Sequence, residues 1–255
     1  MASPPPPPSR GTLRVLCLHG FRTNARVMQD QMRGLRDTLG PNTEFVYLNG
    51  PFKATEKAVA IVEEQYGGSR PFYEWLQYYP RDSMQPTNLS PAEIARIRAK
   101  TGWDDDWPLN YGGVDVALTY LHAKLRELGP FDVAVGFSQG GVLLTIFAMW
   151  SLQNFGKRWW RLLVTVTTSR IHGANCKPLF LTPDGREILV PFPSVHLIGK
   201  KDPDRLESVK LAAMFDSFPA GAPTGKVVLE HEEDHRFPSF KRHRQLYETL
   251  AGIMN

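Results

Sequence analysis

Cysteine is scarce in this 255-residue chain, which contains only Cys17 and Cys176. Two cysteines cannot build the disulfide framework of a small secreted domain, and free thiols are typical of a reducing compartment. The chain has no run of about 20 apolar residues, so we expect no transmembrane helix. Its first residues also lack the apolar stretch of a secretory signal. These absences favour a cytoplasmic location, with the nucleus as a second option.

A strong charge imbalance is also missing. The 30 Lys and Arg residues against 26 Asp and Glu residues give a net charge of +4, which is mild for a protein that binds nucleic acid. The basic cluster Lys241–Arg244 lies at the start of a predicted C-terminal helix, without interleaved aromatic residues. We therefore expect no nucleic-acid partner and a cluster that faces solvent.

The length and apolar content are those of one α/β domain. The hydrophobic fraction of 42% is sufficient for a substantial core. Residues 1–10 include five consecutive prolines and are predicted to form a disordered leader, because such a run is extended and solvated. Residues 11–255 are predicted to form a single domain, although this length is also compatible with two small ones.

Strand-like and helix-like segments alternate along the chain. Such an order favours an α/β fold with a mostly parallel sheet and helices on both faces. The predicted strands are Leu13–Leu18, Glu44–Leu48, Phe131–Val135, Arg161–Thr167, Ser194–Ile198 and Lys226–Glu230. The predicted helices are Ala25–Leu39, Val114–Leu128, Gly141–Trp150, Leu206–Phe218 and Phe240–Met254.

An aromatic-rich insertion at about 62–110 interrupts this alternation. It contains Trp75, Trp103 and Trp107, and the capping pattern at Ser90–Glu93 predicts a short helix within it. Dense aromatic residues on an insertion indicate either a wall over an apolar pocket or a small second core that holds a long loop in place. Both interpretations stay open at the level of sequence.

The pentapeptide at 136–140, Gly-Phe-Ser-Gln-Gly, matches the pattern G-x-S-x-G. A predicted buried strand precedes it and a predicted buried helix follows it, which is the context of a nucleophile elbow. Glycine at Gly136 and Gly140 allows the strand and the helix to pass close to the strained serine. Ser138 is therefore the candidate nucleophile, next to the positive end of a helix. The pattern predicts a serine hydrolase.

A serine nucleophile needs a base, and the base needs an acid that orients it. In folds with this elbow the order along the chain is serine, acid, histidine, with the partners on loops that follow parallel strands. Asp202 lies close to a strand end and is preferred as the acid, whereas Asp204 suits a helix N-cap. His235 lies farther into its loop than His231 and is preferred as the base.

Two backbone N–H groups are expected to form an oxyanion hole. One belongs to Gln139, directly after the candidate nucleophile. The other is expected from Phe21, in the loop after the first predicted strand. His19, in the same loop, is expected to brace it rather than to act in catalysis.

A second catalytic pattern overlaps the candidate base. The segment His231–His235, His-Glu-Glu-Asp-His, matches the zinc-peptidase pattern H-E-x-x-H, which requires both histidines on one helix face. Here the segment follows a β-branched strand and lies just before Pro238, and the residue before a proline disfavours helix. A zinc hydrolase that uses His231 and His235 is thus the less favoured alternative, and no cofactor or metal is expected.

Four segments together resemble a known family. They are residues 18–24 (LHGFRTN), 136–141 (GFSQGG), 199–202 (GKKD) and 235–238 (HRFP). They are similar to the family of serine hydrolases typified by the ovarian-cancer-associated protein 2 of animals, with related fungal and plant enzymes. The resemblance implies an α/β-hydrolase fold and a catalytic triad of Ser138, Asp202 and His235. Phe21 and Gln139 carry over as oxyanion donors.

The same resemblance implies carboxylesterase activity, often toward acyl chains, and some fungal relatives release polyketide acyl chains as thioesterases. We therefore expect an esterase or thioesterase whose partner is a small acyl ester or thioester; the sequence leaves the oligomeric state open. A non-catalytic protein that binds ligands through the aromatic insertion is the alternative from another class. This chain departs from the family at Glu233 and Asp234, where glycines are usual. The departure places two carboxylates beside the candidate base.

Overall fold

A computed structural model describes residues 11–83, 88–100, 107–220 and 225–255. The predicted leader at 1–10 and Trp103 lie outside the described residues. The strands are β1 Leu13–Leu18, β2 Thr43–Leu48, β3 Phe52–Lys53, β4 Tyr73–Glu74, β5 Gln77–Pro80, β6 Leu109–Gly112, β7 Val133–Phe137, β8 Leu162–Val166, β9 Ser194–Gly199 and β10 Lys226–His231. The helices are α1 Ala25–Gln31, α2 Arg33–Leu39, α3 Ala60–Tyr66, α4 Pro91–Lys100, α5 Val114–Leu128, α6 Gln139–Phe155, α7 Lys177–Phe180, α8 Arg205–Ala213 and α9 Arg244–Met254.

A six-stranded sheet in the order β10-β9-β8-β7-β1-β2 forms the centre of the molecule, and its neighbouring strands pair in parallel. Side chains alternate between the two faces, as strand geometry requires. In β1, Leu16 and Leu18 belong to one core cluster, whereas Val15 and Cys17 belong to the other. Both faces are therefore buried, which explains the nearly continuous apolar strands.

Helices cover each of these faces. The face of Val15 and Cys17 packs against α1, α2 and α9, through residues such as Met28 and Leu250. The opposite face packs against α5 and α6. Helix α6 is buried along most of its length, so it has no polar face and reads as an apolar run. This arrangement confirms the prediction of a parallel sheet wrapped on both sides.

Several predicted elements differ from the structure at their ends. The predicted helix Ala25–Leu39 is interrupted at Met32, which joins α1 to α2. The predicted helix Leu206–Phe218 ends at Ala213, and Phe215 instead forms a bridge with Val190. At Phe215 a bridge made by the folded chain overrides the helix pattern of the sequence.

The elbow strand and the last helix are also shifted. The structure places the strand at Val133–Phe137, two residues later than predicted, so that it leads directly into Ser138. The predicted helix Phe240–Met254 begins at Arg244. Before it, the Ser239 carbonyl accepts the N–H groups of Arg242 and His243, which closes a turn.

The aromatic-rich insertion is more ordered than its sequence indicates. Strand β3 pairs with β4 and β5 pairs with β6, both antiparallel. Ser90 and Glu93 form the expected reciprocal cap, because the Glu93 carboxylate accepts the Ser90 N–H at 2.8 Å and the Ser90 hydroxyl accepts the Glu93 N–H at 3.3 Å. Trp75 and Trp107 are buried in the same core cluster as Leu16. For these two tryptophans the structure supports the scaffold interpretation over the wall.

Among the described residues, no helix is both long enough and apolar enough to cross a membrane.

Candidate active site

Ser138 occupies the sharp turn between β7 and α6. Its backbone has φ 50° and ψ −117°, a combination that a residue with a side chain adopts only under strain. The Ser138 N–H donates to the Val166 carbonyl of β8 at 2.9 Å, and the Ser138 carbonyl accepts the Gly141 N–H at 3.0 Å. These bonds hold the strained turn, and the hydroxyl stands at the first turn of a 17-residue helix.

The two elbow glycines allow close approach of backbone, as predicted. A Cβ atom at Gly136 would lie 2.4 Å from the Gly141 nitrogen. A Cβ atom at Gly140 would lie 2.3 Å from the Leu18 carbonyl oxygen at the end of β1. Larger residues at either position would push the helix away from the sheet.

His235 and Asp202 lie in line with the serine. His235 Nε2 is 3.0 Å from Ser138 Oγ, and His235 Nδ1 is 2.8 Å from Asp202 Oδ2. A carboxylate can only accept, so Nδ1 carries the proton and Nε2 is the acceptor that faces the serine hydroxyl. The Asp202 side chain is 1% exposed, whereas the His235 side chain is 36% exposed. The Asp202 carboxylate is thus shielded, while the His235 imidazole can be reached from solvent.

The competing acid and base take other positions. Asp204 is the N-cap residue of α8, and its N–H donates to Asp202 Oδ1 at 2.8 Å. His231 ends β10, is buried, and accepts the Glu233 N–H on Nδ1 at 3.3 Å. Burial, followed by the charge of His243, lowers the pKa of His231. Of the four candidates, the structure brings Asp202 and His235 into line with the serine.

The zinc-peptidase helix does not form. His231 is the last residue of β10, and the following residues 232–236 form bends rather than a helix. Three potential ligand atoms, from Asp202, Asp204 and His235, lie within 4.8 Å of one another. That group includes the acid instead of His231, so the structure contradicts a site built on the H-E-x-x-H pattern.

The two carboxylates before His235 have their own partners. Asp234 forms an ion pair with Arg236, whose Nη2 lies 2.8 Å from Asp234 Oδ2, and this hydrogen bond lowers the pKa of Asp234. Glu233 accepts the Ser239 N–H at 3.1 Å. Their backbone carbonyls lie so close to Gly199 that a Cβ there would be 2.5 Å from the Asp234 oxygen. The loop that carries Glu233 and Asp234 is therefore packed closely against the end of β9.

The two expected oxyanion donors have no hydrogen-bond acceptor of their own in the parts of the chain that the structure describes. Across the described ranges, no residue accepts a hydrogen bond from the N–H of Phe21 or from that of Gln139. The loop that carries Phe21 passes directly beside the elbow, since a Cβ atom at Gly20 would lie 3.6 Å from Ser138 Cβ. Both N–H groups are thus free to bind an anion, and the α6 dipole favours one there.

His19 braces this loop, as predicted. It is fully buried, its Nε2 accepts the Gly50 N–H at 3.0 Å, and its Nδ1 donates to the Gly20 carbonyl at 2.7 Å. Burial lowers the pKa of His19 to about 4, so the ring stays neutral near pH 7. A neutral ring with both nitrogens bonded to backbone is suited to structure rather than to proton transfer.

Three residues near the site were missed by the sequence analysis. Arg22 is 1% exposed, and its Nε lies 2.6 Å from the Glu74 carboxylate. The Trp75 indole N–H donates to the His19 carbonyl at 2.9 Å. Arg22 and Glu74 are 52 positions apart, and no spacing pattern links them. The sequence signal that comes nearest to indicating this ion pair is Arg22 itself, a charged residue beside Phe21 in a loop that follows a buried strand.

Two surface hollows are lined by residues other than the candidate catalytic ones. A groove of about 400 Å³ is lined by Tyr111, Leu118, Trp150 and Leu179 among others, and a smaller crevice by Trp107 and neighbours. Within the described part of the chain, Ser138 and His235 line neither hollow.

The chain is similar to known proteins over most of its length. Residues 9–247 match the family model described as "Serine hydrolase (FSH1)". Esterase OVCA2 of Mus musculus is 29% identical over 251 residues, which cover 94% of this chain and 95% of the mouse protein. Esterase OVCA2 of Danio rerio is 25% identical over 242 residues, or 93% of this chain and 96% of the fish protein.

A solved structure shares the fold. The crystal structure of Zea mays acyl-protein thioesterase 2 aligns with a TM-score of 0.56 at 13% identity, over 98% of this chain and 97% of the maize chain. The parallel sheet, the helices on both faces and the elbow are those of the α/β-hydrolase fold, which confirms the predicted fold class. Because the family model covers nearly the whole sequence, this protein belongs to the serine hydrolase (FSH1) family.

Proposed function

We propose that this protein hydrolyses carboxylic esters or thioesters of acyl substrates through an acyl-enzyme intermediate on Ser138. The observation that carries the proposal is the aligned set of hydrogen bonds from Ser138 through His235 to Asp202. The similarity to proteins named as esterases, and the fold shared with an acyl-protein thioesterase, support the same class of substrate.

In the first half of the reaction the serine is acylated. Ser138 Oγ attacks the acyl carbon and forms a C–O bond, while His235 Nε2 takes the hydroxyl proton. The carbonyl electron pair moves onto the acyl oxygen, which becomes an oxyanion. When that pair returns, the bond to the leaving group breaks, and the protonated His235 gives its proton to the departing alkoxide or thiolate.

In the second half a water molecule removes the acyl group. His235 takes a proton from the water as it attacks the acyl carbon, and then returns that proton to Ser138 Oγ as the C–O bond to the enzyme breaks. The products are the carboxylic acid and the alcohol or thiol. Asp202 keeps its negative charge throughout, and it orients the imidazole and stabilises its protonated form.

The oxyanion is the charge that the site must stabilise. The N–H groups of Phe21 and Gln139 are the proposed donors, and the N-terminal end of α6 adds its dipole. Because these donors are backbone groups in a packed loop and a helix, they are positioned before the substrate arrives.

The proposal also covers the surroundings of the site. We propose that residues 11–255 act as a single catalytic domain in the cytoplasm. The buried, unpaired thiols of Cys17 and Cys176 support a reducing environment.

A fluorophosphonate probe and Ser138→Ala test the proposal directly. The probe should label the purified wild-type protein at Ser138, and Ser138→Ala should remove both labelling and hydrolysis of p-nitrophenyl acetate. Removing the nucleophile typically lowers turnover by several orders of magnitude. Retention of more than about a tenth of wild-type turnover in a folded Ser138→Ala protein would refute the assignment. Absence of labelling in the wild type would favour the non-catalytic alternative.

A further inference from the structure

We propose that the segment Glu74–Leu76 is a brace that holds both oxyanion donors in place, with Arg22 and Glu74 as positioning residues for Phe21. The inference rests on the proposed function. It gives the aromatic-rich insertion a role in the reaction that is different from lining a substrate pocket.

The first contact of the brace is a buried ion pair. Both side chains of Arg22 and Glu74 are 2% exposed, and Arg22 Nε lies 2.6 Å from Glu74 Oε1. The second Glu74 oxygen accepts the Asn88 amide at 2.8 Å. The remaining Arg22 nitrogens donate to the carbonyls of Lys57 at 3.0 Å and Leu89 at 3.4 Å. A buried guanidinium needs this many partners, because each unpaired N–H would be costly away from water.

This ion pair acts on Phe21 through the backbone. Arg22 has φ 51°, in the left-handed region that a residue with a side chain rarely adopts. Its guanidinium also lies 4.6 Å from the centre of the Phe21 ring. The fixed side chain holds Arg22 in this conformation, and Phe21 is held between it and the preceding peptide, whose Gly20 carbonyl accepts hydrogen bonds from His19 Nδ1 at 2.7 Å and Thr23 Oγ1 at 2.8 Å. The anchor in the insertion thus restrains Phe21 from its C-terminal side, and a loss of the anchor would let Phe21 and its N–H rotate.

The second set of contacts reaches the other donor. The Gln139 side chain is buried, its Oε1 accepts the Trp75 N–H at 2.8 Å, and its Nε2 donates to the Leu76 carbonyl at 2.7 Å. The Gln139 side-chain amide thus bonds to two consecutive residues of this segment, through the Trp75 N–H and the Leu76 carbonyl. Two hydrogen bonds at these distances leave the first residue of α6 little freedom to rotate.

A third contact joins the segment that bonds to Gln139 with the loop that carries Phe21. The Trp75 indole donates to the His19 carbonyl, two residues before Phe21. Consecutive residues of one short segment therefore bond to the loop of one donor and to the side chain of the other. Displacement of this segment would change the separation of the two N–H groups, and oxyanion stabilisation depends on that separation.

The test uses variants that remove the brace but keep both donor N–H groups. Gln139→Met removes the two side-chain hydrogen bonds, Trp75→Phe removes the indole donor, and Glu74→Gln removes the charge that faces Arg22. Each variant is assayed with p-nitrophenyl acetate for kcat and KM. A trifluoromethyl ketone is the second probe, because addition of the Ser138 oxygen turns its carbonyl into an oxyanion and transfers the serine proton to His235.

We expect kcat of Gln139→Met and Glu74→Gln to fall by about tenfold or more, with KM changed by less than about twofold. The inhibition constant of the trifluoromethyl ketone should rise by the same factor as kcat falls. Arg22→Lys should give an intermediate loss, since one ammonium cannot replace three directed contacts. A purely structural role would lower the melting temperature and leave kcat of the folded protein and the inhibition constant unchanged.

Glu44→Gln is the control, because it removes the carboxylate from another Arg–Glu ion pair, between Arg14 on β1 and Glu44 on β2. It should leave kcat and the inhibition constant at wild-type values. If Glu74→Gln does not fold, Gln139→Met and Trp75→Phe decide the question. Folded variants with wild-type kcat and inhibitor affinity overturn the brace alone. An unlabelled, inactive wild type would instead refute the proposed function.

Discussion

The substitution Gly140→Ala probes how closely the elbow is packed against β1. The added Cβ would lie 2.3 Å from the Leu18 carbonyl oxygen and 2.7 Å from that of His19. Neither atom can rotate away, because both belong to backbone. The end of β1 or the start of α6 must therefore move by several tenths of an ångström, and we expect the movement to destabilise the fold.

Two opposing contributions set the magnitude. Replacing glycine by alanine inside a helix stabilises it by about 1 kcal/mol. Overpacking a rigid site costs about 1–3 kcal/mol, and the upper part of that range applies where the neighbour is backbone. The net expectation for Gly140→Ala is a loss of about 1–2 kcal/mol in the free energy of unfolding. The same movement separates the loop of His19 from the elbow, so kcat should fall by about tenfold.

Urea unfolding followed by tryptophan fluorescence measures the first effect, and p-nitrophenyl acetate hydrolysis measures the second. Gly252→Ala in α9 is the control, since a Cβ there would meet nothing within 4 Å. It should gain about 0.5–1 kcal/mol and retain full activity. If Gly140→Ala gained stability as Gly252→Ala does and kept wild-type turnover, the close approach of elbow and strand would be wrong.

Three further predictions concern the acid, a possible metal and pH. Asp202→Asn should lower kcat by about four orders of magnitude, whereas Asp204→Asn should keep at least about half of it, because Asp202 is the carboxylate that accepts the His235 Nδ1 hydrogen bond at 2.8 Å; equal losses would contradict this choice. Dialysis against EDTA should leave the hydrolysis rate unchanged, and a loss restored by zinc would revive a metal role for Asp202, Asp204 and His235. Burial lowers the pKa of His196 to about 3, so this residue stabilises the fold fully above pH 6.5 and progressively less as the pH falls toward 3. Urea titrations between pH 7 and pH 5 should show a loss of about 1 kcal/mol per pH unit from this residue, and a His196→Asn variant with the same slope as wild type would refute it.

The central fold could be predicted because its signals are local. Strand β1 at Leu13–Leu18 and helix α5 at Val114–Leu128 have the predicted ends. Strand β1 is an apolar segment and α5 is a long periodic one, and Gly129 and Pro130 directly follow α5. The short strands of the insertion could not be found in this way. Phe52 pairs with Glu74 and Gln77 pairs with Gly112, so their registers depend on contacts between distant residues.

The candidate site shows the same division. Chain order and position after a strand favour Asp202 and His235. In the structure His235 is hydrogen-bonded to both Asp202 and Ser138. Their catalytic roles, and those of the two oxyanion donors, stay predictions. The brace was missed because a buried ion pair leaves no periodicity in the sequence. Arg22 and Glu74 look like ordinary surface charges until the fold removes both from water.

The separation of the site residues along the chain has a consequence for folding. Ser138 and His235 are 97 positions apart, and His235 and Asp202 are 33 positions apart. They meet only after β7, β8, β9 and β10 have aligned in parallel, and such non-local pairing forms slowly. A partly folded chain can already contain the elbow and α6 yet have no base beside the serine. Recovery of hydrolysis during refolding should thus lag behind recovery of helical circular dichroism, and labelling by a fluorophosphonate would count the molecules whose last edge strand has docked.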